Sequence, residues 1–162
     1  MLRTWLPVPS FQETALVLHN EELHKVRKDV LYILDVLAGR FQHMKHNPSV
    51  TMWRGSELVL VAYGVNMCTE WKARGQRDKL SDRIFAYAEE ALRTNALNPK
   101  DNGNIPWWLG NVGFHESHKS NLIALRPEHY QTIWPSVAAD LPMVMPGPTA
   151  SGGGRLKVKE AS

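Results

Sequence analysis

The stretch EELHKVRKDVLYILDVLA, residues 21–38, decides the fold because it predicts a long amphipathic helix. Apolar side chains recur along it at helical spacing, namely at Val26, Val30, Ile33, Leu34 and Leu37. Gly39 follows directly and supplies the left-handed residue that ends many helices. One face of this helix is therefore expected in a hydrophobic core, while its other face carries charged side chains into solvent.

The same criteria predict four further helices on either side of this stretch. Ser10 and Glu13 form a capping box that opens a short helix ending near residue 19. Apolar spacing predicts the other helices over about 55–74, 78–95 and 114–125. No strong alternation typical of strands is visible, so we predict an all-α, mainly helical fold.

The segments between these helices predict long irregular loops and one flexible end. Residues 40–54 and 98–113 contain proline or several glycines and show no period. A glycine run followed by lysines closes the sequence and is typical of disorder. We predict one compact domain over residues 1–146 and a flexible basic tail over residues 147–162.

Composition narrows the class of protein further. A chain of 162 residues fits one domain, and its single cysteine, Cys68, excludes a disulfide framework and a cysteine-based metal site. No signal peptide is recognisable, and no apolar run approaches the roughly 18 residues of a membrane span. We expect a cytoplasmic protein that acts at the nucleoid or in a phage-infected cell.

Positive charge is modest in total but clustered along the chain. The formal net charge is +3, which alone is weak evidence for a nucleic-acid partner. Basic side chains gather at residues 24–28, 72–83 and 115–126. These clusters either converge on one DNA-binding face or are three separate solvated helix ends.

The segment FHESHKSNL, residues 114–122, is the strongest local signal. His115 and His118 are three residues apart on one helical face, and Asn121 lies one further step along it. With Lys119 they match the side chains that contact phosphates and bases in DNA complexes. A metal would need a third and a fourth ligand, which the sequence does not mark, so we predict no metal. Ordinary capping and surface polarity is the remaining alternative.

Two other groups carry candidate chemistry. Asp29 is flanked by Lys25 and Lys28, which either make a salt-bridged surface or hold a functional carboxylate in its ionised form. Arg54 is placed to take a phosphate, and the adjacent Trp53 either stacks on a base or caps the core. Of the six tryptophans, Trp107 and Trp108, beside a glycine-rich loop, are the strongest candidates for a role outside the core.

Together these motifs resemble the pyrimidine dimer DNA glycosylase family, the endonuclease V-like base-excision enzymes. Three blocks carry the resemblance in order: a Leu-x-x-x-x-Leu-x-Lys-x-Arg helix at residues 18–27, Asn-Pro to Met-Trp-Arg-Gly at 47–55, and Trp-Leu-Gly to Pro-Glu-His-Tyr at 108–130. The resemblance covers about residues 1–146.

The resemblance implies a compact helical fold that binds double-stranded DNA and flips a nucleotide out of the stack. In the family the N-terminal amine attacks the sugar C1′, expels the base and forms an imine, and a carboxylate assists β-elimination. That carboxylate falls on Asp29, where the family has glutamate, and the arginine after the nucleophile falls on Arg3. The nucleophile itself falls on Leu2, but Met1 is expected to remain because methionine aminopeptidases require a small second residue.

We therefore predict a monomeric DNA glycosylase of base-excision repair, with AP-lyase activity, that acts on a damaged or modified pyrimidine and uses no cofactor. The predicted catalytic residues are Met1, Leu2 and Asp29. The predicted DNA contacts are Arg3, His24, Lys25, Arg27, Lys28, Arg54, His115, His118, Lys119 and Asn121. Two alternatives stay open: an enzyme that tailors a hypermodified pyrimidine in DNA, and a catalytically inactive DNA-binding module of the same fold.

Overall fold

Helices account for nearly all of the regular structure in the computed structural model, which describes residues 1–94, 105–147 and 156–158. The helices in these ranges are α1 (Phe11–Val17), α2 (Asn20–Leu37), α3 (Pro48–Thr51), α4 (Glu57–Ala73), α5 (Ser81–Thr94), α6 (Val112–Leu125) and α7 (Pro127–Ile133). Two three-residue strands, β1 (Val144–Pro146) and β2 (Leu156–Val158), pair antiparallel. The predicted all-α class is confirmed, and none of the helices in the described ranges is long and apolar enough to cross a membrane.

The core forms where α2, α4 and α5 approach one another closely. Val30 on α2 and Ile84 on α5 are fully buried, and both face Gly64 on α4. A Cβ atom added at Gly64 would lie 2.7 Å from Cγ1 of Val30 and 3.1 Å from Cγ2 of Ile84. The absence of a side chain at this residue therefore sets the spacing of the three helices.

Helix α1 begins at the predicted cap but ends two residues earlier than predicted. The Ser10 hydroxyl accepts a hydrogen bond from the Glu13 amide at 3.1 Å. The chain turns extended at Leu18, and the Arg74 guanidinium donates to the carbonyl oxygens of Ala15 and Leu18 at 2.9 and 2.7 Å. Arg74, at the end of α4, thus donates hydrogen bonds to carbonyl groups at the end of α1 that have no donor within their own helix.

Helix α3 lies inside the segment 40–54 that was predicted to be irregular. Asn47 caps it by accepting from the Ser49 amide at 2.8 Å, and Pro48 occupies its first turn. Four residues are too few to show helical periodicity. Trp53 is fully buried just beyond this helix, and its indole donates to the Thr4 hydroxyl at 3.0 Å, so it belongs to the core.

Residues 156–158, which lie within the predicted tail, form β2 and pair with β1. Strands β1 and β2 have three residues each. This is too short for an alternation of apolar and polar side chains to be recognised in the sequence. The rest of the tail, at 148–155 and 159–162, lies outside the described residues, as does the loop segment 95–104. The domain boundary at residue 146 stays a prediction.

Candidate active site at the N-terminus

The first nine residues run extended across the helices and are held by side chains from several of them. Ser49 on α3 donates its hydroxyl to the Leu2 carbonyl at 2.9 Å. Tyr63 on α4 is fully buried and donates to the Trp5 carbonyl at 2.7 Å. Because side chains bind its main-chain groups directly, this segment has a fixed path that brings the start of the chain to the surface of α2.

Lys25 and Asp29 form the contact between α2 and the chain start. They are one helical turn apart, and the Lys25 ammonium lies 2.5 Å from Oδ2 of Asp29. The same ammonium donates to the Met1 carbonyl at 2.6 Å, and the Arg3 amide donates to Oδ2 of Asp29 at 3.0 Å. The N-terminal residue is therefore fixed beside the Asp29 carboxylate through Lys25 and Arg3.

An open cleft of about 480 Å³ surrounds this contact, and we call it the N-terminal cleft. It is lined by Met1, Leu2, Lys25, Lys28, Asp29, Tyr32, His43 and Met44. Met1 is 77% exposed, whereas the Asp29 side chain is only 12% exposed. A ligand can therefore reach the N-terminal residue, while the carboxylate lies deeper and is partly shielded from solvent.

Arg3 was predicted to contact DNA, but its side chain is buried. Its terminal nitrogens lie 3.1 Å from the Met1 sulfur and 3.4 Å from the Met145 sulfur, and its Nε has no hydrogen-bond partner among the described residues. Burial lowers the pKa of Arg3, and the nearby charge of Asp29 opposes that shift. The Arg3 side chain therefore lies inside the protein, where it contacts Met1 and Met145, and is not available at the surface.

His115 and His118 share one face of α6 as the spacing predicted, but that face points inward. His115 donates from Nδ1 to the Leu6 carbonyl at 2.7 Å and accepts from the Gly110 amide at Nε2, which fixes a neutral ring. His118 accepts from the Leu6 amide at 2.9 Å, and burial lowers its pKa well below the ordinary value. We therefore correct their predicted role: both rings hold the extended N-terminal segment and neither reaches a DNA surface.

Arg27 is also inside the protein, while the other basic residues nearby on α2, His24, Lys25 and Lys28, are exposed. It forms a buried ion pair with Asp78 at 2.6 Å, and its guanidinium lies 4.8 Å from the Trp71 ring centre. Its predicted DNA contact is replaced by this internal pair. His24 and Lys28 remain exposed, and the pKa of His24 is lowered by partial burial of its ring and by the charges of Lys28 and Arg27.

The remaining predicted contacts lie apart from the N-terminal cleft. Lys119 pairs with Glu116 at 2.8 Å. Asn121 donates its side-chain amide to the carbonyls of Ser117 and Leu141, so its polar group is used within the protein. Arg54 is exposed and lines a second cleft. Of the ten predicted DNA contacts, only Lys25 and Lys28 line the N-terminal cleft.

Sequence reasoning missed several residues that form this site. Tyr32 and His43 line the cleft, and Ser49 fixes Leu2. Tyr32 lies three residues after Asp29 and could have been found from helical spacing. His43 lies in a segment without a period, and the contact of Ser49 with Leu2 joins residues 47 positions apart.

Within residues 1–94, 105–147 and 156–158, no group of three or more His, Cys, Asp or Glu side chains is arranged to hold a metal ion.

A family model described as pyrimidine dimer DNA glycosylase matches residues 2–84. This range contains the blocks at 18–27 and 47–55 and every residue lining the N-terminal cleft except Met1. No curated protein and no solved structure matches the chain.

Proposed function

The chain belongs to the pyrimidine dimer DNA glycosylase family, and from that premise we propose that it excises a damaged or modified pyrimidine from double-stranded DNA through an imine formed by the amine of its N-terminal residue. The observation that carries this proposal is the position of Met1. Lys25 holds its carbonyl, and Asp29 holds the amide of Arg3, two residues on. The residue that bears the amine is thereby fixed at an open cleft and beside a carboxylate.

The first chemical step replaces one bond at the sugar carbon C1′ with another. The lone pair of the N-terminal amine attacks C1′ while the glycosidic C–N bond breaks, and the base leaves with the bonding electrons and takes up a proton. The amine then loses a proton, the C1′–O4′ bond breaks as the C1′–N double bond forms, and the ring oxygen takes up a proton, which gives the protonated imine. Asp29 is the carboxylate in the cleft that can accept a proton and stabilise the developing positive charge.

The lyase step continues from the same imine. Removal of a proton from C2′ sends its electrons into the C1′–C2′ bond and moves the imine double-bond electrons onto nitrogen, which gives an enamine. The enamine nitrogen then returns its electron pair, a C2′–C3′ double bond forms, and the 3′-phosphate leaves with the electrons of the C3′–O bond. Asp29 is again the carboxylate in the cleft that can move this proton. Lys25 keeps that carboxylate oriented by its 2.5 Å contact, so we assign Lys25 a positioning role.

Exposed cations near the cleft supply an attraction for the DNA backbone. Lys25 and Lys28, both on α2, are among the residues that line the cleft. Each lysine can neutralise a phosphate and release a counterion, which makes binding dependent on salt. With Arg3, Arg27, His115 and His118 buried, we propose that phosphate contacts are made by these lysines and by the exposed Arg54.

Borohydride trapping tests the proposal directly. Duplexes that carry ultraviolet-induced pyrimidine dimers, an abasic site or a modified pyrimidine are incubated with the protein and with borohydride, and an undamaged duplex serves as the control. We expect a covalent protein–DNA adduct on at least one altered duplex and none on the control. Base release without any adduct would refute the imine, and the absence of both adduct and base release would refute the glycosylase assignment.

Analysis of nucleosides from the treated DNA separates this proposal from base tailoring. Excision leaves free base and abasic sites, whereas tailoring leaves an altered nucleoside that is still attached to the strand. Salt-dependent binding without any product would instead favour the inactive DNA-binding module.

A further inference from the structure

The proposed excision step needs a proton donor besides Asp29. As the glycosidic C–N bond breaks, the base leaves with the bonding electrons and must take up a proton. Asp29 accepts hydrogen bonds from Lys25 and from the Arg3 amide at its Oδ2 atom, and its assigned role is to receive the proton that the amine loses. A second group is therefore required to give a proton to the base in the same step.

Four of the described residues that line the N-terminal cleft have side chains with a proton to donate: Lys25, Lys28, Tyr32 and His43. The Lys25 ammonium already donates to Asp29 and to the Met1 carbonyl. In water an ammonium or a phenol loses its proton at about pH 10, whereas an imidazolium loses it at about pH 6.5. An imidazole therefore both holds and gives up a proton near neutral pH, as a general acid must.

His43 comes from the segment between α2 and α3, which is held on both sides of this residue. Phe41 stacks on Tyr32 of α2, with ring centres 5.4 Å apart and an angle of 18° between the planes. The Asn47 amide, at the cap of α3, donates to the Met44 carbonyl at 2.9 Å. The main chain of His43 is therefore fixed at the cleft, although its side chain is exposed.

The residue directly after His43 has an unusual main-chain conformation. Met44 has a φ of 68°, in the left-handed region that residues with a side chain seldom adopt. Among the described residues it is the only one besides glycine with a positive φ. Such conformations persist where surrounding contacts enforce them, and they are concentrated at active sites. Here the strained residue and His43 both line the cleft.

The charges around His43 come from α2, from the chain start and from its own segment. The titratable groups that line the cleft with it are Lys25, Lys28, Asp29, Tyr32 and the amine of Met1. The basic neighbours on its own segment are Arg40, Lys45 and His46, which are all exposed. Asp29 is the one carboxylate among the described residues that line the cleft. Positive charge therefore dominates the cleft and stabilises negative charge that develops on a departing base.

We propose that His43 is a further catalytic residue, the general acid that protonates the departing pyrimidine. The protonated imidazole gives an N–H proton to the carbonyl oxygen O2 of the base as the C1′–N1 bond breaks, and the ring is left neutral. The electrons of the broken bond stay with the base, which departs without a net charge. This inference rests on the proposed function, because it supplies the proton for the same step.

Single-turnover assays on two kinds of duplex test this role. One duplex carries the altered pyrimidine on which wild-type protein forms the borohydride adduct, and the other carries an abasic site, from which no base has to leave. His43→Gln should slow base release by about 10²- to 10⁴-fold, the usual contribution of a general acid, and should cleave the abasic duplex at nearly the wild-type rate. His46→Gln changes another exposed histidine of the same segment, which does not line the cleft, and it should match wild type on both duplexes.

The pH dependence of base release gives a second readout. A general acid acts in its protonated form, so release by wild-type protein should slow as the pH rises through the range in which an imidazole loses its proton. His43→Gln should lack this decrease. Tyr32→Phe, which removes the phenol proton from the cleft, should keep it. Loss of the decrease in Tyr32→Phe but not in His43→Gln would assign the donor to Tyr32 and overturn the inference.

The outcomes separate this inference from the proposed function. Circular dichroism shows whether each variant is folded. Wild-type base release by folded His43→Gln, or an equal loss of rate on both duplexes, would overturn the role of His43 and leave the imine mechanism in place. If wild-type protein cleaves the abasic duplex but releases no base from any altered duplex, the glycosylase assignment is wrong and the role of His43 fails with it.

Discussion

Replacing Asp29 by asparagine removes one negative charge and nearly preserves the shape of the side chain. The carboxylate accepts from Lys25 at 2.5 Å and from the Arg3 amide at 3.0 Å. The Lys25 side chain is 53% exposed, so its attraction to Asp29 contributes only about 0–1 kcal/mol. The hydrogen bond from the Arg3 amide contributes about 1.5–3 kcal/mol as a charged bond, and an asparagine oxygen retains part of it.

These contributions predict a small loss of stability and a large loss of rate. The Asp29→Asn protein should unfold about 1–2 kcal/mol more easily, which lowers Tm by roughly 2–8 °C for a domain of this size. Loss of the group that moves protons should slow base release by about 10²- to 10⁴-fold. The change in rate therefore exceeds what partial unfolding would cause, since the variant stays folded at the assay temperature.

Single-turnover assays measure the predicted loss of rate, and thermal melts of the same preparations measure the predicted loss of stability. Asp82→Asn removes an exposed carboxylate on α5 that lines neither cleft, and it should keep the wild-type rate. Asp29→Glu keeps the charge but moves it by about one methylene, so its rate should lie between those of wild type and Asp29→Asn. A wild-type rate for folded Asp29→Asn would refute the assigned role of the carboxylate.

Three further predictions concern the packing that supports the site. Burial lowers the pKa of His118 in the folded protein, so below about pH 6.5 its side chain binds a proton in the unfolded chain but not in the folded chain. The Tm of the wild type should therefore fall between pH 7 and pH 5, and the Tm of His118→Gln should fall less. Equal decreases in Tm for the two proteins would contradict this. Arg27→Met leaves Asp78 buried without its partner and should cost about 3–5 kcal/mol in urea unfolding; weaker DNA binding at unchanged stability would point to a surface role instead. Gly64→Ala pushes a methyl group against Val30 and should destabilise the fold by about 1–3 kcal/mol in the same assay, so an unchanged midpoint would show that the helices can separate at no cost.

The long helices could be predicted from the sequence because their patterns are local. The periodicity of residues 21–38 and the left-handed glycine at Gly39 gave α2 almost its observed ends. The spacing of Lys25 and Asp29 also predicted their contact, since residues four apart on a helix are neighbours. Helices α3 and α7 and the β1–β2 pair were missed because each is short, with three to seven residues.

The orientation of α6 could not be predicted from spacing. His115 and His118 look like surface residues in the sequence, yet the main-chain groups of Leu6, more than 100 residues away, bind Nδ1 of both rings. A polar residue can face the core wherever a distant partner accepts or donates its hydrogen bond. The same holds for Arg27, whose burial depends on Asp78, 51 positions later in the chain. Local patterns thus predicted a candidate site but assigned several buried residues around it to the surface.

Identification of the residue that carries the trapped DNA tests the central claim most directly. The borohydride-reduced adduct is digested with protease and nuclease, and mass spectrometry locates the deoxyribose-derived mass on a peptide. We predict that the mass lies on the α-amine of the N-terminal residue, which is Met1 as the chain is written and Leu2 if Met1 is removed. Attachment to the side chain of Lys25 or Lys28, both in the same cleft, would contradict the N-terminal amine as the nucleophile.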